Sequence, residues 1–215
     1  MKQIITKDSS ITFYSEEYNE AYHSVTGAVE EAFKKFAEPA LEAVKGKNNI
    51  SILDVCFGLG YNSAAVIDKV REINPECKVN IVGIEKDENI LEQIPGISPQ
   101  IKNYHIIKDA IKNNYKYESD NITIKILVCN ALDCVGKIKN KCDVIFLDPF
   151  SPKKNPELWT EAFFKELRRL INKDGILLTY SCAGIVRRNL KAAGFTVKDG
   201  PCVGRRSPST IALPL

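Results

Sequence analysis

A doubly wound α/β fold over residues 46–215 is the architecture this 215-residue chain predicts, and three observations predict it. Five apolar runs stand between residues 50 and 181, each hydrophobic on both faces, as strands buried inside a parallel sheet must be. Segments with apolar residues at three-to-four spacing separate them, which is the helical period. The first run ends in a glycine turn that leads directly into the first of those helices, giving a βαβ alternation and a Rossmann-like, mostly parallel sheet.

The strands are ISILDVC (50–56), KVNIVGIE (78–85), ITIKILVC (122–129), CDVIFLD (142–148) and GILLTYS (175–181). The helices between them are YNSAAVIDKVREI (61–73), ENILEQI (88–94), ALDCVGKI (131–138) and PELWTEAFFKELRRLI (156–171). In the last, Asn155 reads as the N-cap, Pro156 as the first helical residue and Arg168 and Arg169 as the basic end. GIVRRNLKAA (184–193) continues as a helix, and FTVKD and STIALPL close the sheet as a strand pair. Ahead of this unit, residues 1–45 form a short extension: a β-rich lead-in over 1–25, then a helix over 26–44 interrupted at Pro39. Residues 95–121 carry the weakest pattern, with helical character in YHIIKDAIKNNY.

A hydrophobic share of 44% beside 27% charged residues supports a buried core and argues against disorder. No stretch approaches the ~18 apolar residues of a membrane span, and the N-terminus lacks a signal-peptide core, so a cytoplasmic protein with no membrane partner is expected. Seven cysteines, none in a C-x-x-C pair, suit a reducing compartment. Cys129, Cys134 and Cys142 cluster weakly and the two histidines lie far away, so no metal site is expected. Charge is uneven: residues 1–149 carry 18 Lys/Arg against 22 Asp/Glu, residues 150–215 carry 12 against 5. A basic C-terminal third suits a phosphate-rich partner, or is simply a solvated face.

LDVCFGLGYNSAAV (53–66) turns on Gly58 and Gly60 between strand and helix, where glycine lets a ligand approach a helix N-terminus. A lone G-x-G fits NAD, FAD and S-adenosylmethionine alike. Glu85, 25 residues after Gly60 and closing the second strand, stands where an acid takes ribose hydroxyls, unless it is an exposed strand-end charge. Ser63 replaces the third glycine of a dinucleotide turn. Asp133 in NALD resembles an adenine-loop residue of S-adenosylmethionine enzymes; its structural alternative is an acid in a helical first turn.

LDPFSPKKNPELWT (147–160) resembles the strand-end [DNS]-P-P-[YFW] loop of enzymes that methylate exocyclic amines. Such an amine must be neutral, oriented and about 3 Å from the methyl carbon it attacks. An oxygen acceptor at Asp148 would aim its lone pair, Pro149 would fix the backbone, and Phe150 would wall the pocket. The structural alternative is a rigid loop whose aspartate caps nearby amides.

The stretch 146–197, with D-x-F-x-P-x-x-N-P-x-x-W, a strand ending T-Y-S and A-G-x-V-R-R-x-L-x-x-A-G-F, resembles the MnmC-type tRNA 5-methylaminomethyl-2-thiouridine methyltransferase domain. DVCFGLGYN and YHSVTGAVEE (22–31) extend the similarity. The resemblance implies a class I S-adenosylmethionine-dependent enzyme that N-methylates the 5-aminomethyl group of (2-thio)uridine at the tRNA wobble position. By position it assigns Gly58, Gly60, Asn62, Glu85, Asp133 and Asp148 to the cofactor, with Tyr22, His23, Ser24 and Glu31 closing over it from the extension. Asp148 and Phe150 become the catalytic pair. Lys153, Lys154, Arg187, Arg188, Arg205 and Arg206, with Lys191, would grip the anticodon stem-loop; Trp159 would stack on a splayed base or lie in the core. Capping is the structural alternative for Ser24 and Thr26.

Two departures accompany the resemblance. Cys56 occupies the usual place of the first turn glycine, tolerable at negative φ. The FAD-dependent oxidase domain fused to many bacterial members has no counterpart in the sequence, which reads as the stand-alone methyltransferase. Rival readings are a methyltransferase acting on another amine or small molecule, an NAD-dependent oxidoreductase, and a non-catalytic RNA-binding module.

Overall fold

The computed structural model describes residues 1–204 and 206–215. A small antiparallel sheet opens the chain, with β1 (Lys2–Ile5), β2 (Ile11–Ser15) and β3 (Glu20–Ala21) in that order. One helical run follows: α1 (Ala28–Glu31), a π-helical stretch (Ala32–Ala37) and α2 (Glu38–Ala43). Then come β4 (Asn49–Val55), α3 (Tyr61–Ile73), β5 (Lys78–Glu85), α4 (Glu88–Leu91), α5 (Tyr104–Lys112), β6 (Lys116–Glu118), β7 (Ile122–Val128), α6 (Ala131–Cys134) and β8 (Cys142–Leu147). The chain ends with α7 (Glu161–Leu170), β9 (Ile171–Thr179), α8 (Gly184–Ala192), β10 (Phe195–Asp199) and β11 (Thr210–Pro214).

The main sheet has the order β10-β11-β9-β8-β4-β5-β7-β6. The central five strands run parallel, and β6, β10 and β11 make the antiparallel edges. Chain direction across the sheet reverses at the β4–β8 boundary, and a crevice opens beyond the carboxyl ends of strands at such a switch point. Alternation in β8 shows why both faces are covered. Val144 and Phe146 enter the core beneath α1–α3 and α5, while Ile145 and Leu147 enter the core beneath α6–α8. Ala28, Ala32, Phe36 and Ala40 join the first of these cores, so the extension is packed into the main unit.

Four expectations change in detail. Pro39 does not interrupt the N-terminal helix; the turn before it widens, with the Glu38 amide donating to the Phe33 carbonyl, which relieves the clash a proline ring makes one α-turn back. Asn155 and Pro156 open only a 3-10 turn over Pro156–Trp159, and the true N-cap of α7 is Thr160, whose hydroxyl accepts from the Phe163 amide at 3.2 Å. The short β6 lies inside the segment of weakest pattern, since it pairs on one side only and most of it is exposed. Cys129 and Cys134 are not free thiols: the turn of α6 brings their Cα atoms to 6.5 Å and they form a disulfide. Among the described residues no helix is long and apolar enough to cross a membrane.

Candidate active site

Three left-handed residues shape the turn after β4: Cys56 (φ 66°), Gly58 (φ 53°) and Gly60 (φ 72°). The negative φ expected at Cys56 is therefore not what the chain adopts. The Phe57 amide donates to the Ile84 carbonyl (2.9 Å), and the Gly60 amide to that of Phe57 (2.8 Å). Gly60 caps α3, and a Cβ there would stand 2.7 Å from the Phe57 ring and 2.8 Å from Ile107, so it serves the fold. Gly58 differs: a Cβ there would meet Tyr22 and His23 only at 3.9 Å, because it faces a cavity.

Glu85 belongs to the same device. Its carboxylate accepts from the Gly58 amide (2.8 Å) through one oxygen and from the Lys86 and Asp87 amides (2.8 and 2.9 Å) through the other. It is 6% exposed, which rules out a loose strand-end charge. Burial raises its pKa while those amides oppose the rise. Beyond it lies a first cavity of about 680 Å³ including its open mouth, lined by Tyr22, Gly58, Glu85, Asn130, Asp148 and Phe150 among others.

Asp148 follows β8 directly, its amide donating to the Val55 carbonyl (3.1 Å), which places it at the switch point. Asn62 Nδ2 donates to its Oδ2 at 2.9 Å. Burial pushes the Asp148 carboxyl up to about 7 against that hydrogen bond, with the Glu31 charge adding to the rise and Lys35 opposing it. A second cavity, about 1030 Å³ with its mouth, lies beside the first. Tyr22, His23, Asp148, Pro149 and Phe150 line both and form the shared wall. Three carboxylates line the second cavity, Glu20, Glu31 and Asp148, and among the described residues neither Lys nor Arg does.

The Asp148-Pro149-Phe150 wall is held from several sides. Tyr180 donates to the Pro149 carbonyl (3.0 Å), Trp159 Nε1 to that of Phe150 (2.9 Å), and the Ser151 hydroxyl to Glu20 (2.8 Å). The Phe150 ring stacks on Tyr18 at 4.3 Å and meets Tyr22 edge-on at 4.9 Å. Trp159, 2% exposed, thus lies in the core and supports the wall.

The expected site residues divide unevenly between these features. Ser24, Glu31 and Asn62, expected at the cofactor, line the second cavity and not the first. Asp133 lines neither; it is exposed in the first turn of α6, whereas its neighbours Asn130 and Ala131 line the first cavity. His23 is neutral, pushed down to about 4 by burial, with Nδ1 3.1 Å from the Thr12 hydroxyl. Ser24 and Thr26 bond each other at 2.6 Å and do not cap α1. Lys153, Lys154, Arg188, Lys191 and Arg206 are exposed. Arg187 is engaged internally: it donates to the Thr210 hydroxyl (3.0 Å) and the Ser209 carbonyl (3.1 Å) and pairs with Asp199 (2.6 Å). Arg205 lies outside the described residues.

Sequence reasoning misses Tyr18, Lys86 and Asp54. Lys86 stands over the Tyr18 ring at 4.7 Å and pairs with Glu17. Asp54, fully buried in β4, accepts from the Ser63 hydroxyl (2.7 Å) through one oxygen, and among the described residues its other oxygen has no hydrogen-bond partner. An acid inside an apolar strand run, nine residues before a serine in the following helix, is the signal that marks it.

A parallel sheet, a glycine turn tied to the acid of the next strand and an Asp-Pro-Phe wall at the switch point together define a class I methyltransferase. Known proteins agree: residues 95–214 match the model of a family described as S-adenosyl-L-methionine-dependent methyltransferase. The chain belongs to that family. It is 32% identical over 213 residues to an uncharacterized protein of Methanocaldococcus jannaschii, aligning 96% of this chain with 58% of that one. It is 27% identical over 214 residues to the tRNA 5-methylaminomethyl-2-thiouridine biosynthesis bifunctional protein MnmC of Ralstonia nicotianae, where 94% of this chain spans 33% of the relative. The crystal structure of MNMC2 from Aquifex aeolicus matches with a TM-score of 0.90 at 36% identity, over 99% of this chain and 70% of that one. TrmN from Thermus thermophilus, at 18% identity and a TM-score of 0.52, shares the fold.

The described residues fit the cofactor this family uses. Gly58 presents no side chain to the first cavity, and buried Glu85 forms part of its lining. The cavity is walled by apolar groups such as Ile84 and Leu158, as an adenosyl group requires.

Proposed function

We propose that the protein transfers a methyl group from S-adenosylmethionine to the primary amine of 5-aminomethyl-(2-thio)uridine at the tRNA wobble position. The observation that carries this reading is Asp148, shared by two adjoining cavities, the second of which is acidic. A cationic amine entering from that side meets carboxylates; a cofactor in the first cavity supplies an electrophilic methyl group on sulfur. The Gly58 turn, Glu85, Asn130 and Ala131 would hold the adenosyl part, and Tyr22, His23 and Phe150 would separate it from the base.

The acceptor must lose a proton before its nitrogen can attack. A carboxyl near 7 is suited to receive it at neutral pH, and Asn62 holds the carboxylate in place. The relatives' names support tRNA as the carrier, and the exposed lysines Lys153 and Lys154, five and six positions beyond Asp148, would face its backbone.

The decisive assay incubates the protein with isotopically labelled S-adenosylmethionine and tRNA bearing 5-aminomethyl-uridine, followed by nucleoside mass spectrometry. Label in 5-methylaminomethyl-uridine is expected, and its absence would sink the reading. Asp148→Asn should lower kcat by roughly 10²–10⁴-fold, the usual worth of a positioned base, while S-adenosylhomocysteine affinity by calorimetry changes little.

A further inference from the structure

Lys35 is 1% exposed, one of the largest fully buried side chains in the molecule, and it sits in the π-helical stretch Ala32–Ala37. Its ammonium pairs with Glu31 Oε1 one turn earlier. Among the described residues, the other Glu31 oxygen has no hydrogen-bond partner, and Glu31 lines the second cavity. Burying an ammonium against a single carboxylate is a poor way to stabilise a fold, since the loss of hydration outweighs much of the attraction. Widened helical turns of this kind recur at functional sites. A buried cation behind a cavity wall has a use if it keeps the carboxylate in front of it fixed in place.

We propose that Lys35 is a positioning residue: it holds the Glu31 carboxylate at the wall of the second cavity, where Glu31 recognises the acceptor's ammonium while Asp148 takes its proton. This rests on the function proposed above and adds two side chains to it. In the step, one N–H bond of the ammonium breaks and its proton passes to an Asp148 oxygen. The freed nitrogen lone pair then forms the N–C bond as the C–S bond breaks, its electron pair leaving with sulfur. The product is a secondary ammonium, and Asp148 returns its proton to solvent.

Asp148 is faced by Asn62 from α3, by Glu31 and Lys35 from the first helical run, by Asp54 and Cys56 from β4 and its turn, and by Tyr22 and His23 beyond β3. Burial favours the neutral forms of Asp54, Cys56, Tyr22 and His23. Glu20 lines the same cavity and accepts from the Ser151 hydroxyl. Beyond burial, which raises the Asp148 pKa, and the Asn62 hydrogen bond, which opposes the rise, the Glu31 charge raises it and the Lys35 charge lowers it.

The test measures the acid limb of the kcat–pH profile, which in the wild type should lie near pH 7, with aminomethyl-bearing tRNA as acceptor. Glu31→Gln should move the limb to lower pH and raise the acceptor KM about tenfold, as expected when an amine is deprived of a charged partner. Lys35→Met should move it to higher pH, and Lys35→Arg should restore it. S-adenosylhomocysteine affinity should stay within about twofold in all three, because neither residue lines the first cavity. Opposite shifts of the two limbs would support the proposal; a merely structural pair would lower stability and leave both limbs in place. Should Lys35→Met fail to fold, Glu31→Gln decides alone through its limb and its KM. An active wild type with unmoved limbs overturns this inference only, whereas a wild type that leaves aminomethyl-uridine unmethylated overturns the proposed function with it.

Discussion

Cys56 has a left-handed backbone that its side chain disfavours. At φ 66° a Cβ crowds the following carbonyl, a cost of roughly 1–2 kcal/mol that glycine avoids. Cys56→Gly should accordingly raise the unfolding midpoint, with a net gain of about 1 kcal/mol after the greater unfolded-state entropy of glycine is subtracted. Differential scanning calorimetry reads this directly, and a lowered midpoint would mean that the thiol's packing outweighs the strain. At this scale legibility follows chain position. Glu85 and Asp148 are legible because each ends an apolar run, where a strand delivers a side chain to the carboxyl edge of the sheet. Tyr18 is not, since its place against Phe150 depends on a small sheet folding across a distance of 132 residues in the chain. Asp133 is ambiguous for a different reason: its local pattern fits two roles equally, and a four-residue helix leaves it outside the lining of both cavities.

The first helical run shows what elements supply that local sequence does not. Gly27 is its N-cap residue and brings no side chain, so capping comes from the β1–β2 turn. Asp8 accepts from the Glu30 amide (2.9 Å) and Ser10 Oγ from the Ala28 amide (3.1 Å), satisfying two donors that a helix start leaves open. Partial burial would raise the Asp8 pKa, but hydrogen bonds from Ser10, Thr6 and the Glu30 amide bring it to about 2, below the ordinary 3.8. A folded pKa below the unfolded one stabilises above the unfolded value, and that stability is lost as pH falls from about 4 toward 2. Asp8→Ala should cost about 2 kcal/mol at neutral pH, and the gap from wild type should close near pH 2. Urea titrations at pH 7 and pH 2.5 check it; a gap independent of pH would deny Asp8 this charge-dependent role. The Thr160 cap carries the same lesson: Asn155-Pro156 has the composition of a helix start, but it opens a separate 3-10 turn that sends Leu158 and Trp159 into the core, and the apolar face of α7 itself begins with Phe163.

Across the whole molecule, the order of elements from residue 50 onward is legible because burial on both sheet faces writes apolar strands and amphipathic helices into the chain. The pairing of two cavities around one aspartate is not, since Glu31, Asn62 and Asp148 approach only after three separate elements pack. The distribution of charge can be read from sequence, but its division into working and structural cations cannot. Lys153 and Lys154 are exposed, whereas Arg187 ties α8 to β10 and to the start of β11 through two hydrogen bonds and an ion pair. If tRNA is the substrate, these two groups should fail in different ways. Replacing both lysines with alanine should weaken tRNA binding evenly across sequences and reduce the slope of log K against log salt by about 1 for each phosphate that is no longer neutralised. Melting temperature and S-adenosylhomocysteine affinity should hold. Arg187→Ala should instead lower stability by roughly 1–3 kcal/mol, leaving the carboxylate and carbonyl it served without their donor, and any weakening of tRNA binding should follow unfolding. Filter binding over a range of salt concentrations, beside thermal melts of the same proteins, separates the two. An unchanged slope in the double lysine variant would move the RNA-binding face elsewhere, with Arg188, Lys191 and Arg206 the next exposed cations to replace.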